Sequence, residues 1–113
     1  MADITKVALV KNDGVAVTFA AANAGGDSIA AFTERDELIV KNASGGNITV
    51  TIASHENCNF GSDHDLAKVV PNNGEYHFRL SPVTRWANPS TLKLDISYSG
   101  VSSVTVACLT HPF

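Results

Sequence analysis

The twelve residues Ser54-His55-Glu56-Asn57-Cys58-Asn59-Phe60-Gly61-Ser62-Asp63-His64-Asp65 hold two histidines, one cysteine and three carboxylates. Zinc accepts nitrogen and sulfur donors, so a zinc site would draw on His55, Cys58 and His64. Their spacing matches no finger or knuckle, and a fourth ligand would have to come from a carboxylate or from elsewhere. A calcium site would use Asp63 and Asp65, since hard cations take clustered oxygens. The EF-hand order of oxygen donors is lost at once in Asp63-His64-Asp65-Leu66. A solvated polar loop explains the same composition, and neither a metal nor a cofactor is expected.

Nucleophilic catalysis needs a serine or cysteine, a base and a group that orients the base. No Gly-x-Ser-x-Gly elbow, no phosphate-binding Gly-x-x-x-x-Gly-Lys loop and no dinucleotide fingerprint occurs in the sequence. No catalytic residue is assigned, and the chain is expected not to be an enzyme. Arg79, Arg85 and Trp86 group residue types favoured at protein interfaces. They lie in a segment, Arg79 to Pro89, whose two prolines mark a structured loop. Phe113, the last residue, is a second candidate contact. Trp86, near Arg85 and Asn88, would also suit stacking against a sugar.

These residues must be positioned by strands. Apolar residues recur at every second place in Val15-Val17-Phe19, Ile48-Val50-Ile52, Tyr76-Phe78-Leu80, Leu92-Leu94-Ile96-Tyr98 and Val104-Val106-Cys108. That period belongs to a half-buried strand. Lys6 to Val10, Glu37 to Lys41 and Leu66 to Val70 are weaker candidates. Asn- and Gly-rich turns separate them, with Asp13-Gly14 and Asn73-Gly74 as the strongest hairpin signals. The segment containing Ala20-Ala21-Ala22 reads as a strand end plus a loop. The apolar parity shifts near Gly100, which predicts a turn through Ser99-Gly100 and a hairpin of the last two strands. The expectation is one all-β domain over residues 1–113, an antiparallel β-sandwich of jelly-roll-like form with eight or nine short strands.

Hydrophobic residues make up 44% and charged residues 17%, the profile of a folding chain and not of a disordered one. Eight basic residues against eleven acidic ones give a net charge of −3. With the basic residues scattered, no phosphate-tracking surface and no nucleic-acid partner is expected. The N-terminal residues carry no charged leader followed by an apolar run, so neither a secretory signal nor a membrane partner is expected. In a cytoplasm Cys58 and Cys108 would remain thiols; Cys108 falls in an apolar strand row and reads as a core residue.

Gly14 to Phe19, Glu37 to Ile52, Val70 to Phe78, Arg79-Leu80-Ser81-Pro82 and the final Val104 to Leu109 follow an order of strands and turns. That order resembles the small structural proteins of tailed bacteriophages, especially capsid decoration (cement) and related head proteins. Where that group commonly has a Val-Pro-Gly-like turn, this chain has Asn72-Asn73-Gly74. The resemblance implies a non-enzymatic virion component, made in the host cytoplasm. It would bind the major capsid protein or neighbouring virion proteins as a homo-oligomer, with a trimer as the first expectation. The competing expectation is a carbohydrate-binding or adhesin-like sandwich that uses Trp86 or the Ser54 to Asp65 loop.

Overall fold

The computed structural model describes residues 2–55 and 65–112. Among these residues ten strands are present: β1 (Ala2–Asp3), β2 (Lys6–Ala8), β3 (Ala20–Ala21), β4 (Asp27–Ile29), β5 (Asp36–Asn42), β6 (Ile48–Ile52), β7 (Leu66–Val70), β8 (Glu75–Arg79), β9 (Leu94–Tyr98) and β10 (Val104–Thr110). A four-residue helix, α1 (Val83–Trp86), follows β8. One sheet has the order β1-β4-β9-β6-β7; the other is β2-β10-β5-β8, with β3 also on β10.

From β3 onward the chain lays eight strands into the rows β3-β10-β5-β8 and β4-β9-β6-β7, all paired antiparallel. Every connection except β6 to β7 crosses between the sheets, which is the jelly-roll order. The sandwich expected from the alternating pattern is therefore what forms. The N-terminal arm adds the two parallel pairs, β1 on β4 and β2 on β10, and makes both sheets mixed.

The core follows the alternation closely. Ile48, Val50 and Ile52 of β6, Leu94 and Ile96 of β9, Leu38 and Val40 of β5, and Val104, Val106 and Cys108 of β10 face one another between the sheets. Each such side chain contributes roughly 1.5–3 kcal/mol by leaving water. Burial, with a smaller push from the Asp36 charge, drives the Cys108 thiol up to about 12, so it is protonated and behaves as a small apolar residue.

Several local expectations are corrected. Val15 to Phe19 form no strand, although Val17 and Phe19 are half-buried between exposed neighbours. Alternating burial there arises without a partner, because β2 and β3 already occupy that edge of β10. Leu92 is 60% exposed with φ +60. Its backbone closes a turn, its N–H donating to Asn88 O (2.7 Å), so β9 starts only at Leu94. The last two strands are not a hairpin, since β9 lies between β4 and β6 whereas β10 lies in the other sheet. The parity shift near Gly100 marks that crossing. Asn73-Gly74 likewise carries the chain from β7 to β8 across the sandwich. A Cβ at Gly74 would stand 2.8 Å from Pro71 O, so only glycine fits there. Asp13-Gly14 lies between β2 and β3, which do not pair with each other.

Buried polar groups fix the corners. Asp27 accepts hydrogen bonds from the Tyr98 hydroxyl (2.7 Å) and from Asn23 N–H (3.2 Å). Burial, then this bond to Asp27, pushes the Tyr98 phenol far above its ordinary 10.0. A raised phenol stabilises the fold fully below the unfolded value near 10, and the contribution is lost as pH rises beyond it. Stability is thus expected to fall above pH 10 more steeply in the native sequence than in Tyr98→Phe. At neutral pH, Tyr98→Phe is expected to cost about 1–3 kcal/mol, because Asp27 loses a donor while buried. Urea unfolding of both proteins at two pH values checks this, and parallel pH dependence would refute it.

Candidate functional site

Among the described residues, those singled out from the sequence are not gathered into one site. Trp86 is buried, 5% exposed, with its indole N–H donating to Ser81 O (3.3 Å). This overturns its reading as a contact or sugar-stacking face: the ring fills the core under α1. The guanidinium of Arg85 lies 4.5 Å from the Trp86 ring centroid, and Arg85 O accepts from His55 N–H (2.7 Å). Arg79 is exposed on β8 and donates through Nε and Nη2 to Glu34 O (3.3 and 3.1 Å). Phe113 lies outside the described residues.

Of the polar loop, Glu56 to His64 also lie outside the described residues, and with them Cys58, Asp63 and His64 of the metal readings. At its base Asp65 accepts from Ser54 N–H (2.9 Å). His55 Nε2 stands 3.3 Å from Asp95 Oδ2, but without hydrogen-bond geometry. Among the described residues, no group of three or more histidine, cysteine or carboxylate side chains is placed to hold a metal ion.

A cluster that the sequence did not single out lies on the outer face of the β2-β10-β5-β8 sheet. In register, Glu37 of β5 faces Arg79 of β8, Ile39 faces His77, and Lys41 faces Glu75. His77 Nδ1 lies 3.0 Å from Glu37 and its Nε2 lies 2.7 Å from Glu75. Glu37 also meets His111 Nε2 at 3.3 Å, just beyond the end of β10. Both ring nitrogens of His77 thus face carboxylates and not a hydroxyl or thiol, so the cluster is an electrostatic seam rather than a nucleophile–base pair.

The bond to Glu75, supported by Glu37 and opposed by partial burial, raises His77 above its ordinary 6.5. The same bond lowers the Glu75 carboxyl. For a raised histidine the stabilisation is complete below about 6.5 and fades as pH climbs through the higher folded value. Glu75→Gln is expected to bring the His77 titration back toward 6.5, and Glu37→Gln to do so by a smaller amount. Imidazole chemical shifts followed by NMR across pH 5 to 9 read this directly; an unmoved midpoint in both variants would refute the assignment.

Beside this cluster opens a groove of about 510 Å³ between the Asn42 and Gly74 turns, lined by Lys41, Asn73, Glu75, Ser103 and Thr105 among others. Its walls are held by Asn42, whose buried side-chain amide donates to Gly46 O (2.8 Å) and Val70 O (2.9 Å). Phe19 lies at the same end of the sheet, its ring centroid 4.5 Å from Lys41 Nζ. Glu75-x-His77-x-Arg79 does signal one charged strand face. Glu37, forty residues from His77, could be joined to it only by knowing that β5 pairs with β8.

No protein-family model matches this chain, and neither a curated protein nor a solved structure matches it either.

Proposed function

We propose that the chain is a non-enzymatic structural protein of a tailed-phage virion, a capsid decoration protein that binds the head surface through the major capsid protein or its neighbours. The observation that carries this reading is the eight-strand jelly-roll order, an architecture used by viral capsid domains and by lectins. A fold by itself does not name a function. It is joined here by the strand-and-turn resemblance to decoration proteins over Glu37 to Ile52, Val70 to Pro82 and Val104 to Leu109, the Gly14 to Phe19 part of it having no strand. The slab-like shape, 40 × 37 × 20 Å, also gives a small domain a broad face to lay on a shell.

Heads of the phage whose genome carries the gene, stripped of this protein, test the proposal. The purified chain is expected to pellet with them at a stoichiometry set by capsid symmetry. Recovery in the supernatant alone would overturn it. The carbohydrate-binding reading keeps one observation in its favour, since the polar-rimmed groove is large enough for a sugar ring. Glycan binding lost in Thr105→Tyr, which fills that groove, would favour it over head binding.

A further inference from the structure

Among the described residues β8 ends its sheet, paired with β5 on one side only. Asn42 N–H donates to Gly74 O (3.0 Å), so alternate residues Gly74, Tyr76 and Phe78 turn their peptide groups toward β5. The peptide groups of Glu75, His77 and Arg79 therefore lie on the open side. Such an edge is a template for another strand, and charged side chains decide which strands it accepts.

The charges on β8 are self-complementary. If a second copy runs antiparallel to it about a two-fold axis through His77, Glu75 faces Arg79 of the second copy, and Arg79 faces its Glu75. Arg79 is open to such a partner: it is exposed, it donates to the Glu34 carbonyl, and no carboxylate pairs with it among the described residues. Glu75 is exposed and, among the described residues, pairs only with Lys41 (3.8 Å) and His77. On the inner face the same register sets half-buried Tyr76 against Phe78, an aromatic pair on each side of the axis. At the axis the two His77 rings face each other, each held by its own Glu37 and Glu75. The β7 edge of the other sheet lacks this property. β7 has Lys68 at its centre, and two-fold pairing there would set two ammonium groups opposite each other.

We infer that a second copy of this chain docks edge to edge on β8, continuing the β2-β10-β5-β8 sheet across a two-fold axis at His77 with reciprocal Glu75–Arg79 pairs. The interface is isologous and yields dimers, whereas the resemblance to decoration proteins implied a trimer. The inference rests on strand geometry and charge, independently of any virion role.

Sedimentation equilibrium across a concentration series tests it by charge exchange. The native chain is expected to dimerise. Glu75→Arg alone, and Arg79→Glu alone, place like charges across the seam twice and are expected to weaken association about a hundredfold or more. The double variant Glu75→Arg/Arg79→Glu restores opposite charges and is expected to dimerise again. An equimolar mixture of the two single variants is expected to form heterodimers, which also shows that each is folded. A native chain that stays monomeric, a trimer, or single variants that associate like the native protein would each overturn the inference.

Discussion

Trp86→Ala is expected to destabilise the protein by about 3–5 kcal/mol, among the largest effects of any single truncation here. The indole belongs to the core cluster and is covered on its open side by Arg85. Removing it leaves a cavity beneath α1, deprives Ser81 O of its donor and leaves the Arg85 guanidinium without the ring it rests on. A small domain has only about 5–15 kcal/mol in total, so the loss would take roughly a fifth or more of its stability. Trp86→Phe keeps most of the volume and loses the N–H; it is expected to cost about 1–2 kcal/mol. Because this is the only tryptophan, unfolding should be followed by circular dichroism in urea. If Trp86→Ala unfolds at the native midpoint, the ring is not a core element. If it is as costly as expected, any binding defect in that variant reports folding, and Arg79 or Glu75 become the surface residues to alter.

How far the sequence could be read follows from what alternation encodes. Ile48, Val50 and Ile52 alternate with threonines because one face of β6 meets the core, and that pattern survives whichever strands flank it. Leu92 fits the same pattern but lies in a turn, since a period of two says nothing about where backbone hydrogen bonds begin. Asn73-Gly74 and Ser99-Gly100 were legible as reversals, yet their turn chemistry carries no sign of which sheet the chain enters next. In a jelly roll it nearly always enters the other one. Trp86 misled because an indole between two prolines looks the same in sequence whether it points outward or under a short helix. The Glu75-His77-Arg79 row was visible as residues, but its position at a sheet edge is a property of topology alone.

The second large effect concerns the corner where the N-terminal arm is fastened. The Asp36 side chain is 0% exposed and receives Lys6 Nζ (2.8 Å), Thr33 N–H (3.0 Å) and the Thr110 hydroxyl (2.6 Å). One carboxylate thus ties β2, the start of β5 and the end of β10. Asp36→Ala is expected to cost about 3–5 kcal/mol, since it removes three hydrogen bonds to a charged acceptor at once, from the half-buried Thr110 hydroxyl, the Thr33 amide and the Lys6 ammonium. Lys6 is less committed: its side chain is 30% exposed and also donates to Ala31 O (2.9 Å). Lys6→Met is therefore expected to cost only about 1–2 kcal/mol, because Thr33 and Thr110 continue to hold the carboxylate. If the ion pair fastens the arm, the two substitutions couple by more than about 1 kcal/mol in a double-mutant cycle. In that case hydrogen exchange should quicken across residues 2–8 in Lys6→Met, while β6 and β9 stay protected. Additive energies would show instead that Asp36 acts through Thr33 and Thr110 alone, with β2 held by its backbone bonds to β10.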